Sequence, residues 1–545
     1  MKIAIAQLDY HVGNFEKNTS KIIDQIHKAK AENADLVLFA ELAICGYPPR
    51  DFLEFNDFIS LCKQSINEIA SHCLGIAAIV GGPAINLSIK GKDLFNAAYF
   101  LKDGEINKVV HKTLLPNYDV FDEYRYFEPN TVFECIELNG YKIALTICED
   151  LWNIDDDPMY IDNPMDHLIL EKPDFAVNIA ASPFSYTHDE ARTKILKKNA
   201  KTYNIPLFYV NHMGAQTELI FDGCSTVVNP NGDTWKMAPF MEDTQYFNLD
   251  DISKGIDSHR YTTGNKYESI YLALVEGISD YFNKLGFKKA VLGMSGGIDS
   301  AVVFALAVQA LGKDNVLPVL LPSPYSSKGS KNDALEMINN LGTDHKIIPI
   351  IEGMQAYENM LKPVFANLQP DITEENIQAR IRGAILMALT NKLNLILINT
   401  SNKSEIAVGY STMYGDSIGA ISVLGDVYKT EVYELAKFIN TLQNNCIPVS
   451  IIDKAPSAEL RHGQKDVDSL PPYDMLDPIL FQYIEKRLGP KEIIAMGYDS
   501  DLVYRICKMV NQSEYKRFQA PPILRVSDKS FGFGRRLPIV AKYLG

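Results

Sequence analysis

The segment from Ser295 to Ser300, with the sequence Ser-Gly-Gly-Ile-Asp-Ser, joins a short apolar run ending at Met294 to a longer one beginning at Ala301. This order predicts a strand, a glycine turn and the start of a helix. Adjacent glycines let the backbone approach an anion, and serine hydroxyls and unpaired helix amides donate hydrogen bonds to its oxygens. The segment therefore predicts a phosphate-binding loop in an α/β fold. A purely structural glycine turn is the alternative interpretation.

The loop lacks the Gly-Lys-Ser/Thr ending of a Walker loop. It resembles instead the pyrophosphate-binding loop of the ATP pyrophosphatases, which split ATP into AMP and pyrophosphate while they adenylate an acceptor. This resemblance implies an ATP site formed by the strand end and the loop, which comprise Gly293, Met294, Ser295, Gly296, Gly297, Ile298, Asp299 and Ser300.

Length and composition limit the class of protein. A chain of 545 residues exceeds what one hydrophobic core usually serves, so we expect at least two domains. The net charge of −15 argues against a nucleic-acid partner and against binding to an acidic membrane surface. The N-terminal apolar run becomes polar at Gln7, and no run approaches the roughly 18 apolar residues of a membrane span. We therefore expect a cytoplasmic protein.

Apolar runs of strand length alternate with amphipathic stretches along the chain, which predicts an α/β protein throughout. The clearest break is the polar segment around Asp250–Lys266. We predict a first domain over residues 1–247, a linker over 248–265 and a second domain over 266–545. Helical spacing of apolar residues over 267–282 predicts a helix that opens the second domain.

Three reactive side chains in the first half each follow a strand-like run. Cys148 comes after Tyr141–Ile147, while Glu41 and Lys112 follow two other apolar runs. Taken singly, the cysteine would be a core residue and the others surface charges. Taken together, in this order and with their neighbouring residues, they resemble the Glu-Lys-Cys triad of the nitrilase superfamily over about residues 1–247. The resemblance implies an α-β-β-α sandwich that hydrolyses a carboxamide.

The nitrilase resemblance also implies roles for these residues. Glu41 is the general base, Cys148 the nucleophile, and the Lys112 ammonium favours the thiolate and stabilises the oxyanion. Glu123 is the auxiliary glutamate that positions the lysine, with a solvated loop carboxylate as the alternative. In glutaminase members of the superfamily the implied contacts to glutamine are Tyr118, Ser182 and His188.

The second half, from residue 266 onward, resembles the NAD synthetase domain, a doubly wound parallel sheet. Asn376 and Arg380 are four residues apart, so they share one face of a predicted helix. A polar loop follows the apolar run Leu395–Ile398, where ligands bind in open parallel sheets. The resemblance implies further ATP contacts at Thr400, Lys429 and Ser457, deamido-NAD contacts at Asn376, Arg380, Glu405, Asp416 and Lys516, and Mg²⁺ ligands at Asp299 and Glu405.

Together the two resemblances imply amidation of deamido-NAD to NAD through an acyl adenylate, with ATP as cosubstrate and ammonia released from L-glutamine. They also imply an ammonia channel and a homo-oligomer. Two alternatives remain open at this point. One is another ATP-pyrophosphatase amidotransferase, and the other is a noncatalytic nucleotide-sensing scaffold. Residues 324–331 form a further candidate element, a mobile lid over ATP.

Overall fold

The chain divides into two compact units, Met1–Gly264 and Asn265–Gly545. The computed structural model describes residues 1–88, 90–154, 158–256, 265–366 and 368–544. Residues 257–264 of the predicted linker lie outside this described part. The first residues of the predicted linker form regular secondary structure. A strand ends at Asn248 and a helix follows at once, and Leu249 and Ile252 of that helix are buried in the core of the first unit.

The first unit combines short and long strands with five α-helices in its described part. Its strands are β1 (Lys2–Gln7), β2 (Leu36–Leu38), β3 (Ala77–Ile85), β4 (Leu94–Lys102), β5 (Glu105–His111), β6 (Ile136–Leu138), β7 (Tyr141–Ile147), β8 (Phe175–Ala180), β9 (Leu207–Asn211), β10 (Met213–Gln216), β11 (Leu219–Asp222), β12 (Thr226–Val228), β13 (Thr234–Lys236) and β14 (Asp243–Asn248). Its helices are α1 (Phe15–Ala31), α2 (Asn56–Ser71), α3 (Pro164–Leu168), α4 (His188–Tyr203) and α5 (Leu249–Lys254).

Two six-stranded sheets dominate the first unit, in the orders β14-β1-β2-β3-β4-β5 and β13-β12-β9-β8-β7-β6. Alternation along β1 sends Ile3 and Ile5 into one core cluster, which they share with Ile147 of the opposite sheet. The intervening Ala4 and Ala6 belong to the cluster formed with α1 and α2. One core therefore lies between the sheets and another under the helices, which confirms the predicted α-β-β-α sandwich.

The second unit has short strands and many helices. Its strands are β15 (Ala290–Gly293), β16 (Val316–Leu320), β17 (Lys346–Ile347), β18 (Ile396–Asn399) and β19 (Ile421–Ser422). Its helices are α6 (Lys266–Leu285), α7 (Ile298–Leu311), α8 (Lys328–Leu341), α9 (Ile351–Phe365), α10 (Ile372–Leu393), α11 (Lys403–Val408), α12 (Lys429–Leu442), α13 (Val449–Asp453), α14 (Tyr473–Ile484), α15 (Pro490–Ala495), α16 (Ser500–Gln512) and α17 (Glu514–Arg517).

The strands of this unit form one parallel sheet in the order β17-β16-β15-β18-β19. The chain moves outward from β15 in one direction and then returns to β18 on the other side. Ligands of doubly wound sheets bind at this switch point, beyond the carboxyl ends of the two central strands. The predicted doubly wound fold is confirmed, and the predicted helix over 267–282 lies within α6.

No helix in the described part of the chain is both long enough and apolar enough to cross a lipid bilayer.

Two candidate catalytic sites

Cys148 lies at a sharp turn at the end of β7. The strand ends at Ile147, Cys148 has a left-handed backbone with φ of 46°, and a 3₁₀ turn follows over Cys148–Leu151. A left-handed non-glycine residue costs about 1 kcal/mol, so the surrounding structure must hold it. Asn178 of β8 contributes, because its Nδ2 donates to the Cys148 carbonyl at 3.3 Å. The turn places the thiol beyond the carboxyl end of the strand.

The Lys112 ammonium is the centre of a buried charge cluster. Its Nζ donates to Glu41 Oε1 at 2.7 Å and to both carboxylate oxygens of Glu123 at 2.8 Å. Asn96 Nδ2 adds a donor to Glu41 Oε1 at 2.7 Å. The Ala181 amide donates to the other oxygen of Glu41 at 2.9 Å. The structure thus brings together all three predicted charged residues, with Glu41 and Lys112 wholly inaccessible to solvent.

Burial and charge set the protonation of this cluster. Burial raises the pKa of the Cys148 thiol well above its ordinary value, and Glu41 raises it further while Lys112 lowers it. Burial alone lowers the Lys112 pKa, but Glu123 and Glu41 raise it well above the ordinary value. The resting site therefore holds a neutral thiol and a charged ammonium. A neutral thiol needs a base before it can attack, which fits the role predicted for Glu41.

Tyr118, a predicted glutamine contact, lies beside the carboxylate of Glu149, a residue with no role predicted from the sequence. The Tyr118 hydroxyl donates to Glu149 Oε1 at 2.8 Å, and the Tyr160 hydroxyl donates to the same oxygen at 3.2 Å. Glu149 follows Cys148 directly and is buried, and burial raises its pKa. Its place in the chain was the available signal, since the residue after a strand-end nucleophile shares the same turn.

The other two predicted glutamine contacts are neighbours in the structure. Ser182 Oγ lies 2.9 Å from His188 Nε2, and the His188 ring stacks on Trp152 with centroids 5.1 Å apart. Ser182 follows Ala181, whose amide binds Glu41. The pair therefore lies next to the base of the predicted triad.

The predicted phosphate loop has the expected strand, turn and helix order. β15 ends at Gly293, α7 begins at Ile298, and Gly296 between them has a φ of +78°. A Cβ at Gly296 would lie 2.1 Å from the carbonyl oxygen of Ser330, so only glycine fits there. Ser295 Oγ accepts the Gly297 amide at 3.1 Å and lies 3.1 Å from Ser300 Oγ.

A cavity of about 320 Å³ opens at the switch point of the sheet. Predicted ATP residues that line it are Gly293, Met294, Ser295, Gly297, Ile298, Asp299, Thr400, Lys429 and Ser457. Predicted deamido-NAD residues that line it are Glu405 and Asp416. Gly296 and Ser300 are in the loop but are not among the lining residues. Asn376, Arg380 and Lys516 are not among them either.

Two carboxylates and one ammonium meet inside this cavity. Lys429 Nζ hydrogen-bonds to Asp299 and lies 3.6 Å from Glu405 Oε1. Asn402 Nδ2 donates to the second oxygen of Asp299 at 2.9 Å. Burial raises the pKa of Glu405 to about 8, with Asp299 raising it and Lys429 lowering it. Because both carboxylates converge on one cationic group, Asp299 and Glu405 fit the oxygen-ligand set that Mg²⁺ prefers.

Two of the predicted deamido-NAD residues on α10 contact one adjoining segment, residues 412–413. The Thr412 hydroxyl donates to Asn376 Oδ1 at 2.7 Å, and Arg380 Nε donates to the Met413 carbonyl at 3.2 Å. The predicted common helix face of Asn376 and Arg380 is therefore confirmed.

Asp416 and Lys516 contact the same loop. The Thr412 amide donates to Asp416 Oδ1 at 2.6 Å, and Lys516 Nζ donates to the carbonyls of Gly409 and Ser411 at 2.7 and 2.8 Å. The four polar residues thus gather around residues 409–416, although only Asp416 also lines the cavity.

Lys454 is a cavity residue that sequence reasoning missed. Its Nζ donates to the Gly296 carbonyl at 2.7 Å, to Ser330 Oγ at 2.9 Å and to Asp333 Oδ2 at 3.1 Å. Lys454 stands three residues before the predicted contact Ser457, which was the only available signal. It adds a positive charge beside the phosphate loop.

Part of the segment predicted to be a mobile lid forms the start of a helix. Within residues 324–331, α8 begins at Lys328, and its N-cap Ser327 accepts the Ser330 amide at 3.0 Å. Glu459 accepts the Ser327 amide at 3.1 Å and the Ser330 hydroxyl at 2.7 Å. The second half of the segment is therefore held in regular structure by its cap and by Glu459.

Comparisons with known proteins cover both units. A carbon-nitrogen hydrolase family model matches residues 2–253, and an NAD synthase family model matches residues 270–520. The chain is 44% identical to a glutamine-dependent NAD(+) synthetase from Synechocystis sp., over 99% of each chain. It is 38% identical to one from Thermotoga maritima, over 100% of this chain and 99% of the relative. A solved glutamine-dependent NAD+ synthetase from Acinetobacter baumannii, in complex with ADP, matches with a TM-score of 0.79 and 37% identity over 99% of this chain and 98% of that chain.

Proposed function

The chain belongs to the glutamine-dependent NAD(+) synthetases, and we propose that its two units divide this reaction between a glutaminase site and a synthetase site. The enzyme is a ligase that forms a carbon–nitrogen bond with glutamine as amide donor, in the last step of NAD synthesis. ATP is its cosubstrate. Full-length identity to this family favours it over another ATP-pyrophosphatase amidotransferase and over a noncatalytic scaffold.

The buried cluster around Lys112 is the observation that carries the glutaminase assignment. Glu41 takes the proton of the Cys148 thiol, and the sulfur attacks the amide carbon of glutamine. The Lys112 ammonium stabilises the oxyanion that forms on the amide oxygen. Glu41 then gives its proton to the departing ammonia and activates the water that hydrolyses the thioester. Glu123 keeps the ammonium in place through its two hydrogen bonds.

Substrate recognition at this site rests on the polar groups around the turn. Glu149 offers a buried carboxylate, fixed by two tyrosine hydroxyls, that suits the α-ammonium of glutamine. Ser182 and His188 offer a hydroxyl and a ring nitrogen that can bind its α-carboxylate. Tyr118 is 38% exposed and so remains accessible to an incoming amino acid.

The cavity at the switch point is the proposed synthetase site. The loop Ser295–Ser300 holds the phosphates of ATP, with Thr400 and Ser457 as further contacts, and Lys429 and Lys454 offset negative charge on the departing diphosphate. Asp299 and Glu405 would hold Mg²⁺, which neutralises phosphate charge when bound. The ADP bound by the Acinetobacter baumannii relative supports nucleotide binding here.

The dinucleotide substrate is assigned to the side of this cavity bounded by residues 409–416. Asp416 lines the cavity. The same segment is contacted by three residues that are not among the cavity-lining residues, namely Asn376, Arg380 and Lys516. The nicotinate carboxylate attacks the α-phosphorus of ATP, and ammonia then displaces AMP from the acyl adenylate. Ammonia transfer without release to solvent and a homo-oligomeric assembly complete the proposal.

The test is NAD formation from deamido-NAD and Mg-ATP, with either glutamine or ammonium as nitrogen source. Cys148→Ala should abolish the glutamine reaction and keep the ammonium reaction, with AMP rather than ADP as product in both the variant and the parent protein. Cys135→Ala is the matched control, because Cys135 is another buried cysteine of the first unit, and its thiol donates to the Leu168 carbonyl. Retention of the glutamine reaction by Cys148→Ala, or ADP as product, would contradict the assignment.

A further inference from the structure

One buried carboxylate of the first unit accepts three backbone amides. Asp150 Oδ1 accepts the amides of Thr113 at 3.0 Å and Leu114 at 2.8 Å. Asp150 Oδ2 accepts the amide of Ile147 at 3.0 Å. The residue is only 2% exposed. These three donors hold the carboxylate in one orientation. If the carboxylate turned away, at least one buried backbone amide would lose its hydrogen-bond acceptor, which is unfavourable.

These three amides flank two of the residues assigned to catalysis. Thr113 and Leu114 directly follow Lys112, and Ile147 directly precedes Cys148. Lys112 comes directly after β5 in one six-stranded sheet, whereas Cys148 comes directly after β7 in the other. The Asp150 carboxylate therefore ties the two sheets together at the point where each delivers a reactive side chain.

Some other backbone contacts of Lys112 and Cys148 lie inside their own sheets. The Lys112 amide donates to the carbonyl of Asn96 on β4, and the Cys148 carbonyl accepts from Asn178 on β8. Such contacts fix each residue within its sheet but do not fix one relative to the other. Asp150 supplies a link between the two backbone segments that carry them.

We propose that Asp150 is a positioning residue for glutamine hydrolysis, which holds the Lys112 ammonium at a set distance from the Cys148 sulfur. The ammonium must lie where negative charge develops on the amide oxygen during attack by the thiolate. A displacement of about 1 Å in such a group costs about 100-fold in rate. The proposal rests on the functions proposed above for Lys112 and Cys148.

The first test is Asp150→Asn. An amide keeps the size of the side chain, but its NH₂ group is a donor and would face at least one backbone N–H, so that hydrogen bond is lost. We expect kcat for glutamine-dependent NAD synthesis to fall about 100-fold, with KM for glutamine within about threefold. Ammonium-dependent synthesis should stay within about twofold, since it needs only the second unit. Asp35→Asn is the matched control, because Asp35 accepts the Lys2 amide at 2.7 Å at another place in the same unit. It should retain the glutamine reaction.

The second test separates positioning from general damage. In a Lys112→Met background, Asp150→Asn should cost less than about threefold in kcat, because the ammonium that it positions is already gone. Asp150→Ser, which removes the carboxylate without adding an amide donor, should behave as Asp150→Asn does. An unchanged kcat, a defect confined to KM, or a full additional loss in the Lys112→Met background would overturn the proposal. So would unfolding of both Asp150 variants, measured by thermal denaturation. If instead Cys148→Ala retained the glutamine reaction, the proposed function itself would be wrong.

Discussion

At the scale of single residues, burial decides how the glutaminase site is charged. Burial raises the pKa of Glu123 to about 7, with Lys112 lowering it and Glu41 raising it. Burial raises the pKa of Asp150 to about 7 as well, although the amides that it accepts lower it. Both groups therefore lose a proton as the pH rises through about 7. Their ionised forms are the ones that hold Lys112 and its loop in place.

This charge balance predicts a pH dependence. Glutamine hydrolysis should fall as the pH drops below about 7, because protonation of Glu123 and Asp150 weakens the hold on the lysine. Glu123→Gln mimics the protonated form, so we expect a lower kcat at high pH and a shallower decline at low pH. The measurement is kcat for glutamine hydrolysis between about pH 6 and about pH 9 in both proteins. An equally steep decline in the variant would show that Glu123 does not titrate in this range.

Glu41, Lys112 and Cys148 could be predicted as a set because each follows a strand-like run and because, with their neighbours, they resemble the nitrilase triad. Sequence reasoning missed Glu149, Asp150 and Lys454, whose importance depends on their partners. Asp150 matters because the loop after β5 comes to lie against the end of β7 in the other sheet. That meeting is a consequence of how the two sheets pack, and no local pattern around residue 150 encodes it.

At the scale of elements, the proposed phosphate loop is shaped by its approach to α8. Gly296 lies so close to the backbone of Ser330 that the loop and the helix start form one surface, and Lys454 contacts both. The glycine turn and the flanking elements could be predicted from the sequence. The contact with α8 could not be predicted in this way. The sequence-based expectation for residues 324–331 is a lid, whereas in the structure Ser327 caps the start of α8 within this segment.

The close approach predicts a strong effect of one methyl group. Gly296→Ala should raise KM for ATP at least about tenfold in ammonium-dependent NAD synthesis, since its Cβ would meet the Ser330 carbonyl. Gly312→Ala is the matched control, because Gly312 also has a positive φ, of +81°. Among the described residues, no heavy atom other than those of its chain neighbours lies within 4 Å of its added Cβ. Gly312→Ala should cost about 1–3 kcal/mol of stability through its positive φ. Gly296→Ala should cost more, because its Cβ would also meet a backbone oxygen, and only Gly296→Ala should impair ATP use. Equal kinetics of the two variants would argue against the loop as the phosphate site.

At the scale of the whole molecule, each unit has its own sheets, its own core and its own candidate site. Family membership implies that the product of one site is the substrate of the other. Ammonia released at neutral pH becomes mostly ammonium, which is a poor nucleophile. The proposed reaction therefore works best if ammonia reaches the adenylate before it is protonated.

Direct transfer has a measurable consequence. We expect deamido-NAD with Mg-ATP to accelerate glutamine hydrolysis, and NAD and glutamate to form in nearly equal amounts. An NADPH-dependent, ammonia-consuming dehydrogenase in the assay should not reduce the NAD yield from glutamine, while it should reduce the yield from added ammonium. Hydrolysis at the same rate with and without deamido-NAD, together with loss of NAD to the scavenging enzyme, would mean that ammonia passes through solvent.

The enclosed turn at Cys148 also determines how the protein withstands oxidants. Peroxide reacts with thiolates far faster than with thiols, and it must reach the sulfur to form the first product, a sulfenic acid. Cys148 is only 5% exposed, and burial raises its pKa, so at rest the site favours neither the thiolate nor the access of peroxide. Oxidative inactivation should thus depend on turnover, because the sulfur loses its proton only as the reaction begins. A cell under oxidative stress would then preserve the idle enzyme.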